Sequence, residues 1–322
     1  MLSAVFGGDI RHALYLMKNQ KRVEAIRNYR AFCREKSSAN YEILRELALL
    51  LLEQGIKSDD QEMRMLAAYG AGLSASCLSV DILEQALYSS HPKLQLIAVF
   101  FLSQIQDDTS SFLLEKAASS SDFLATRVEA CYHMALRKER HATSYTESLM
   151  ALLPPFFRPF FPQFFAAIGT PSANAALRKL LQDPNPMVRV QSILSLVECK
   201  RDDFLPMIRI KLTHRNLAEM EACAYALGVF EDAHSLKSLQ ALSHHSSQNV
   251  RIAALLALHR LGDTSKAKEV ELAALCHDLF AIQALSYIQG SEDALFELTK
   301  AKNREVRANA AIALLKRQDP SC

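Results

Sequence analysis

No run of about eighteen apolar residues occurs in the chain, and the densest stretch, LALLLL at 47 to 52, is far too short to span a bilayer. The opening MLSAVFGGDIRHALYLM carries an Asp and an Arg inside its mildly apolar run, so it lacks the uninterrupted core of a secretion signal. Neither sign of charge dominates: 37 Lys and Arg face 35 Asp and Glu, and a net of +2 is too small for a field that gathers polyanions over the whole surface. The seven cysteines, Cys33, Cys77, Cys131, Cys199, Cys223, Cys276 and Cys322, are odd in number and scattered, with no C-x-x-C pair. That pattern excludes a disulfide framework or a zinc knuckle and fits reduced thiols. The expected location is cytoplasmic.

Motifs that carry chemistry are missing as well. There is no Walker loop, no G-x-S-x-G elbow and no H-E-x-x-H. GAGLSA at 70 to 75 formally fits a dinucleotide fingerprint, but it lies inside a helical pattern with no strand before it, so its small residues are expected to serve close helix packing. His244-His245 sits in a Ser-rich turn without a thiol or carboxylate at ligand spacing. From these absences we expect no metal, no cofactor, no catalytic residue, and a chain that is not an enzyme.

What is present is repetition. The best-written unit is DPNPMVRVQSILSLVE at 183 to 198: an Asp and prolines, the apolar-Arg pair Val188-Arg189, then Ser192, Ser195 and Leu196 three, six and seven positions beyond the Arg. The same register holds at Arg64, Arg127, Arg251 and Arg307, and without the Arg at Gln95 and Met220; a blurred copy lies near Ala281. Positions 64, 95, 127, 189, 220 and 251 are separated by 31, 32, 62, 31 and 31 residues. In the middle of the double gap stands Arg158, within PPFFRPFFPQFF at 154 to 165. Phe157 takes the apolar place before it, and Phe161, Phe164 and Phe165 take the three core places after it. Pro159 and Pro162 delay this helix to about Pro162, and packed core is the first reading of the block, an exposed patch the second.

Offsets of three, six and seven share one face of an α-helix, and a second apolar run separates successive copies. Each unit is therefore a helical hairpin whose second helix is apolar on two sides, as a helix flanked by neighbouring copies must be. The D-x-x-x-x-V-R-x-x-A-x-x-A-L pattern resembles the HEAT repeat, in the short form also seen in HEAT-like repeats of phycobilisome lyases. The resemblance covers residues 58 to 317. It implies an all-α, right-handed α-α superhelix of about nine or ten hairpins over 1–322, with degenerate hairpins in 1–56, regular repeats of about 31 residues in 57–317 and a tail at 318–322. It also implies an Asp–Arg ladder between units, here Asp183 and Arg189; the other register arginines lack an Asp six before, and Ser58 and Ser121 stand there as possible caps. The first hairpin is expected to begin almost at Met1 without a polar cap, as in a piece of something longer or an end that docks on a partner.

Some HEAT-built enzymes hold iron with His-Glu pairs, and this chain has no His-Glu dipeptide. HEAT-like DNA glycosylases need a basic groove with aromatics; the chain has no Trp, and its one basic segment is 18 to 36, where Arg27, Arg30 and Arg34 form a stripe opposite Ile26, Tyr29 and Cys33. That stripe is first read as a solvated face and second as an anion-binding, nucleic-acid or glycosylase-like surface. In a stack the second helices line the concave side, and the positions two and five past the register include Tyr69, Phe100, Tyr132, Phe160 and Tyr225. These five are the candidate anchors of a groove for another protein or peptide, in a non-catalytic scaffold, against the reading that they pack on their own first helices.

Overall fold

Polar side chains fix where seven of these helices start. The computed structural model describes residues 10–213 and 215–318. Residues 1–9, where the first hairpin is expected to begin, and 319–322 of the expected tail, with Cys322, lie outside the described residues. Side chains of Asn40, Asp60, Asp107, Thr170, Asn185, Asn216 and Asp278 each accept a first-turn N–H. Pro92, Pro171 and Pro186 stand in the first turn, where a missing N–H costs nothing.

The chain forms two compact units, Met1–Leu152 and Leu153–Cys322. The first holds α1 (Ile10–Lys18), α2 (Arg22–Lys36), α3 (Tyr41–Ile56), α4 (Gln61–Leu73), α5 (Val80–Leu87), α6 (Pro92–Leu102), α7 (Asp108–Ser120), α8 (Leu124–Leu136) and α9 (Ala142–Leu152). The second holds α10 (Phe161–Ile168), α11 (Pro171–Leu180), α12 (Pro186–Glu198), α13 (Leu205–Lys211), α14 (Leu217–Val229), α15 (Leu236–Leu242), α16 (Gln248–Arg260), α17 (Lys266–Leu275), α18 (Leu279–Ala284), α19 (Glu292–Leu298) and α20 (Arg304–Gln318). No strand occurs among the described residues, so the fold is all-α as expected.

Odd and even helices pair as hairpins within each unit, and the even ones stack: α4 on α6 on α8 in the first, α10 through α20 in the second. Such a helix is covered from both flanks, and α16 is buried without a break from Ile252 to Leu258. The first hairpin departs from this pattern, because it is α1 that packs on α3. Tyr29 fixes it by donating to the Asn40 carbonyl at 2.8 Å, and Arg22 donates to the Gln54 amide oxygen at 2.9 Å.

Backbone turns carry the period as clearly as the helices do. Left-handed residues close the second helices at Lys138, Gly169, Lys200, Glu231 and Gly262, each 31 residues after the last. Gly72 meets a different demand. A methyl group there would lie 2.0 Å from the ring of Phe101 on the next repeat, so a bare α-carbon is what lets α4 and α6 close up. The GAGLSA segment is thus a packing surface, as its helical setting predicts.

Three of the register arginines share a task that differs from the expected ladder. Arg189, Arg251 and Arg307 donate to the backbone carbonyl six residues earlier, those of Asp183, His245 and Ala301, at 2.7, 2.8 and 2.9 Å. A carbonyl is present whatever the side chain, which explains why the arginine recurs where the Asp does not. Arg127 donates instead to the Ala118 carbonyl at 3.1 Å, whereas Nε of Arg64 finds no acceptor. The Asp183 carboxylate is taken by Arg158 of the preceding repeat, at 3.3 Å, and not by Arg189. Arg189 reaches forward to Glu219 on α14, at 2.9 Å, where Lys211 joins at 2.7 Å. So the ladder runs from one repeat to the next, and Ser121 donating to Gln95 at 2.8 Å is its uncharged form. Ser58 and Ser121 cap turns and not helices, accepting from the N–H groups of Asp60 and Phe123.

The Phe-Pro block divides in two. Pro155–Phe160 is a 3₁₀ turn, and α10 starts at Phe161 with Pro162 in its first turn, the expected late start. Phe161, Phe164 and Phe165 are buried core. Phe157 is not buried as its register place predicts. In a turn of three residues per cycle Phe157 and Phe160 fall on one side, where their rings meet at 6.3 Å and stay exposed beside Phe156. Core and exposed patch are both present, on opposite sides of Phe161.

Gly72→Ala is expected to lower stability by about 1–3 kcal/mol, the usual range for overpacking, read by urea unfolding against the parent protein. Burial alone would push the Glu219 carboxyl up, but hydrogen bonds from Lys211 and Arg189 outweigh it and hold it below the usual range. Its contribution is therefore present above the unfolded value near about 4.3 and lost as pH falls through the lower folded value. Glu219→Gln is expected to cost about 3–5 kcal/mol at pH 7, because the buried carboxylate's two cations, themselves only 13% and 11% exposed, lose their partner, and the gap to the parent protein is expected to shrink toward pH 3. A gap that stays constant with pH contradicts the assignment.

Candidate functional site

The second helices carry the expected ring positions, and in the first unit these form a connected row. Tyr69 on α4 meets Phe101 on α6 edge-on at 5.7 Å; Phe101 meets Phe100 at 5.1 Å; Phe100 meets His133 on α8 at 6.0 Å; and His133 meets Tyr132 at 5.7 Å. Phe101 and His133 are buried beneath, while Tyr69 and Phe100 are each 48% exposed. Leu66, Leu73 and Leu136 are exposed on the same helices. Burial lowers the His133 pKa, and the Glu129 carboxylate 3.2 Å away only partly offsets it, so the ring under Phe100 is neutral at pH 7. Sequence reasoning counts Phe101 and His133 as core only. Their offset of six from Gln95 and Arg127 places them next to the exposed rings on the helix surface, which makes them the supports of Phe100.

In the second unit Phe160 and Tyr225 fall in different settings. Phe160 is 63% exposed on the 3₁₀ turn, so proline geometry removes it from a helical face altogether. Tyr225 on α14 lines an apolar groove of about 260 Å³ with Leu194 of α12, Leu256 of α16 and Phe280 and Tyr287 at α18 and the turn after it. Leu194 and Leu256 are positions five past their register residues. Tyr287 obeys the same rule, five past Ile282, which stands 31 after Arg251. Replacement of the register Arg by Ile282 hid it.

The basic stripe is where it was expected but rotated. Arg27, Arg30 and Arg34 of α2 are exposed. Ile26 is 39% exposed, and Ala25 takes its buried place beside Tyr29. Packing on α1 and α3 favours a small residue there. No described helix is long and apolar enough to cross a membrane, and among the described residues no three of His, Cys, Asp and Glu come together as a metal site. Burial pushes the Cys131 and Cys223 thiols up to about 12, far from a reactive thiolate.

No protein-family model matches the chain, and no curated protein matches it. Solved structures similar to it include human deoxyhypusine hydroxylase, at 18% identity and a TM-score of 0.34 over 79% of this chain and 99% of that one. Another is the CpcE–CpcF complex of phycocyanin lyase from a Nostoc species, at 18% identity and 0.32, covering 74% and 88%. A third is a tubulin-recruiting microtubule polymerase with an array of TOG domains, at 12% identity and 0.27, covering 91% and 81%. All are HEAT-type helical solenoids, and at these scores the likeness reaches no further than repeat type. The expectation that the chain is not an enzyme is overturned here, distant as the likeness is: a hydroxylase and a lyase are among these structures, so the absence of known motifs does not exclude catalysis on such a scaffold. The period of its helices and turns makes the chain an all-α helical repeat protein, and the solved structures it is similar to are of HEAT type.

Proposed function

We propose that the chain binds another protein or a peptide along the faces of its second helices, acting as an adaptor. The observation that carries this reading is the row Tyr69, Phe101, Phe100, His133 and Tyr132: rings held from below by buried rings, with the outer ones half open to water beside exposed leucines. A ring that only packs on its own hairpin gains nothing from standing half in solvent, whereas rigid half-exposed aromatics are the usual anchors of protein interfaces. Salt is the discriminating condition, because it screens exposed charge and leaves apolar contact intact.

The chain immobilised as bait in extract of its native cell is expected to retain a specific protein at high salt. Tyr69→Ala with Phe100→Ala is expected to weaken that retention by about tenfold or more, at least ~1.4 kcal/mol, while reversing Arg27, Arg30 and Arg34 to Glu leaves it unchanged. Retention that survives loss of both rings contradicts the proposal. So does a retained component that is nucleic acid and is lost with the three arginines.

A further inference from the structure

The groove in the second unit adjoins a second cavity of different chemistry. That cavity, about 390 Å³, shares Tyr287 and Lys316 with the apolar groove and is otherwise bordered by Arg260, Arg317, Ser286 and Gln289. Arg317 is already committed: it donates to the Leu285 carbonyl and the Ser291 hydroxyl at 3.1 Å and pairs with Glu292. Arg260 is not so engaged. Its guanidinium lies between two rings, 5.3 Å from the centre of Tyr225 and 5.0 Å from that of Tyr287, the same rings that wall the groove. Its Nη1 is shut off from water and has no acceptor.

A guanidinium held between two rings at the border of a cavity places a fixed positive charge there, and an anion entering the cavity meets that charge already positioned. Lys316, lining both cavities, adds a second positive charge at their shared border. Charge complementarity therefore calls for an anion, and the adjoining groove calls for an apolar group beside it. Glu221, on the groove wall, favours a single negative charge over a doubly charged phosphate.

We propose that these paired cavities hold an apolar side chain of a peptide partner in the groove and a carboxylate next to it on Arg260 and Lys316. The inference rests on the second-helix faces being a peptide-binding surface and adds the chemistry that the second unit selects. A phenylalanine or leucine followed by Glu meets both demands within one short segment.

The test uses the full chain and bead-displayed hexapeptides of Gly and Ser with a central Phe-Glu, Phe-Gln or Gly-Glu pair. Phe-Glu is expected to bind at least tenfold more tightly than either of the others. Arg260→Gln and, as a separate variant with the stacked guanidinium intact, Lys316→Gln are each expected to reduce the Glu-over-Gln preference, with thermal unfolding confirming that each is folded. Equal binding of Phe-Glu and Phe-Gln overturns the carboxylate assignment and leaves the apolar groove standing. A preference unchanged in both variants overturns the assignment of the two cations. Failure of every peptide to bind overturns the inference, and retention of a protein through Tyr69 and Phe100 in the bait experiment shows whether the broader reading falls with it.

Discussion

A two-helix hairpin has more apolar surface than it can cover, and in this chain the next hairpin covers it. The second helix bears the burden, being apolar toward its own first helix and toward both neighbours, so it survives only in a row. Close approach sets the composition. Where backbones meet most tightly the residue is Gly72 or Gly228, whose missing β-carbon is filled by Phe101 or by Ala257 of the following repeat. Ala130, Ala254, Ala310, Ser192 and Cys223, the small residues three past the register, follow from the same constraint and are all buried.

The polar contacts are arranged around that packing. Each register arginine that finds a partner spends a donor on a backbone carbonyl or reaches the neighbouring repeat, and Arg189 does both, holding its hairpin turn and the inter-repeat seam with one side chain. A further set was invisible as a motif. Arg137, Arg201 and Arg317, ten to twelve residues past the register, donate to carbonyls near the end of the preceding second helix, those of Leu102, Ala166 and Leu285. They satisfy acceptors that a helix leaves open at its C-terminal end. Burying these ends without such donors is not a stable option.

The period was readable because it is written twice, in helix faces and in turns, and stacking enforces both. The late start near Pro162 was equally readable, as proline acts locally. What depended on rotation was not. On α2 nothing local distinguishes Ile26 from Ala25 as the buried residue; the space left by α1 and α3 decides it. Phe157 was misplaced because a 3₁₀ turn replaces the helical period with one of three. Tyr287 was overlooked because its repeat has Ile282 where others have Arg, and the stacking of Arg260 between rings of two different repeats exists only in three dimensions. Exposure of Tyr69 and Phe100, the feature on which a binding role rests, follows from the rings beneath them being Phe101 and His133, one residue along each helix.

Residue-resolved hydrogen exchange tests mutual shelter of the second helices most directly. Amides of α12, α14 and α16, which have stacked neighbours on both sides, are expected to open with the largest and nearly equal free energies, above those of α13 and α15 from the same hairpins. Equal protection of first and second helices, or independent opening of α12, α14 and α16, would contradict the account.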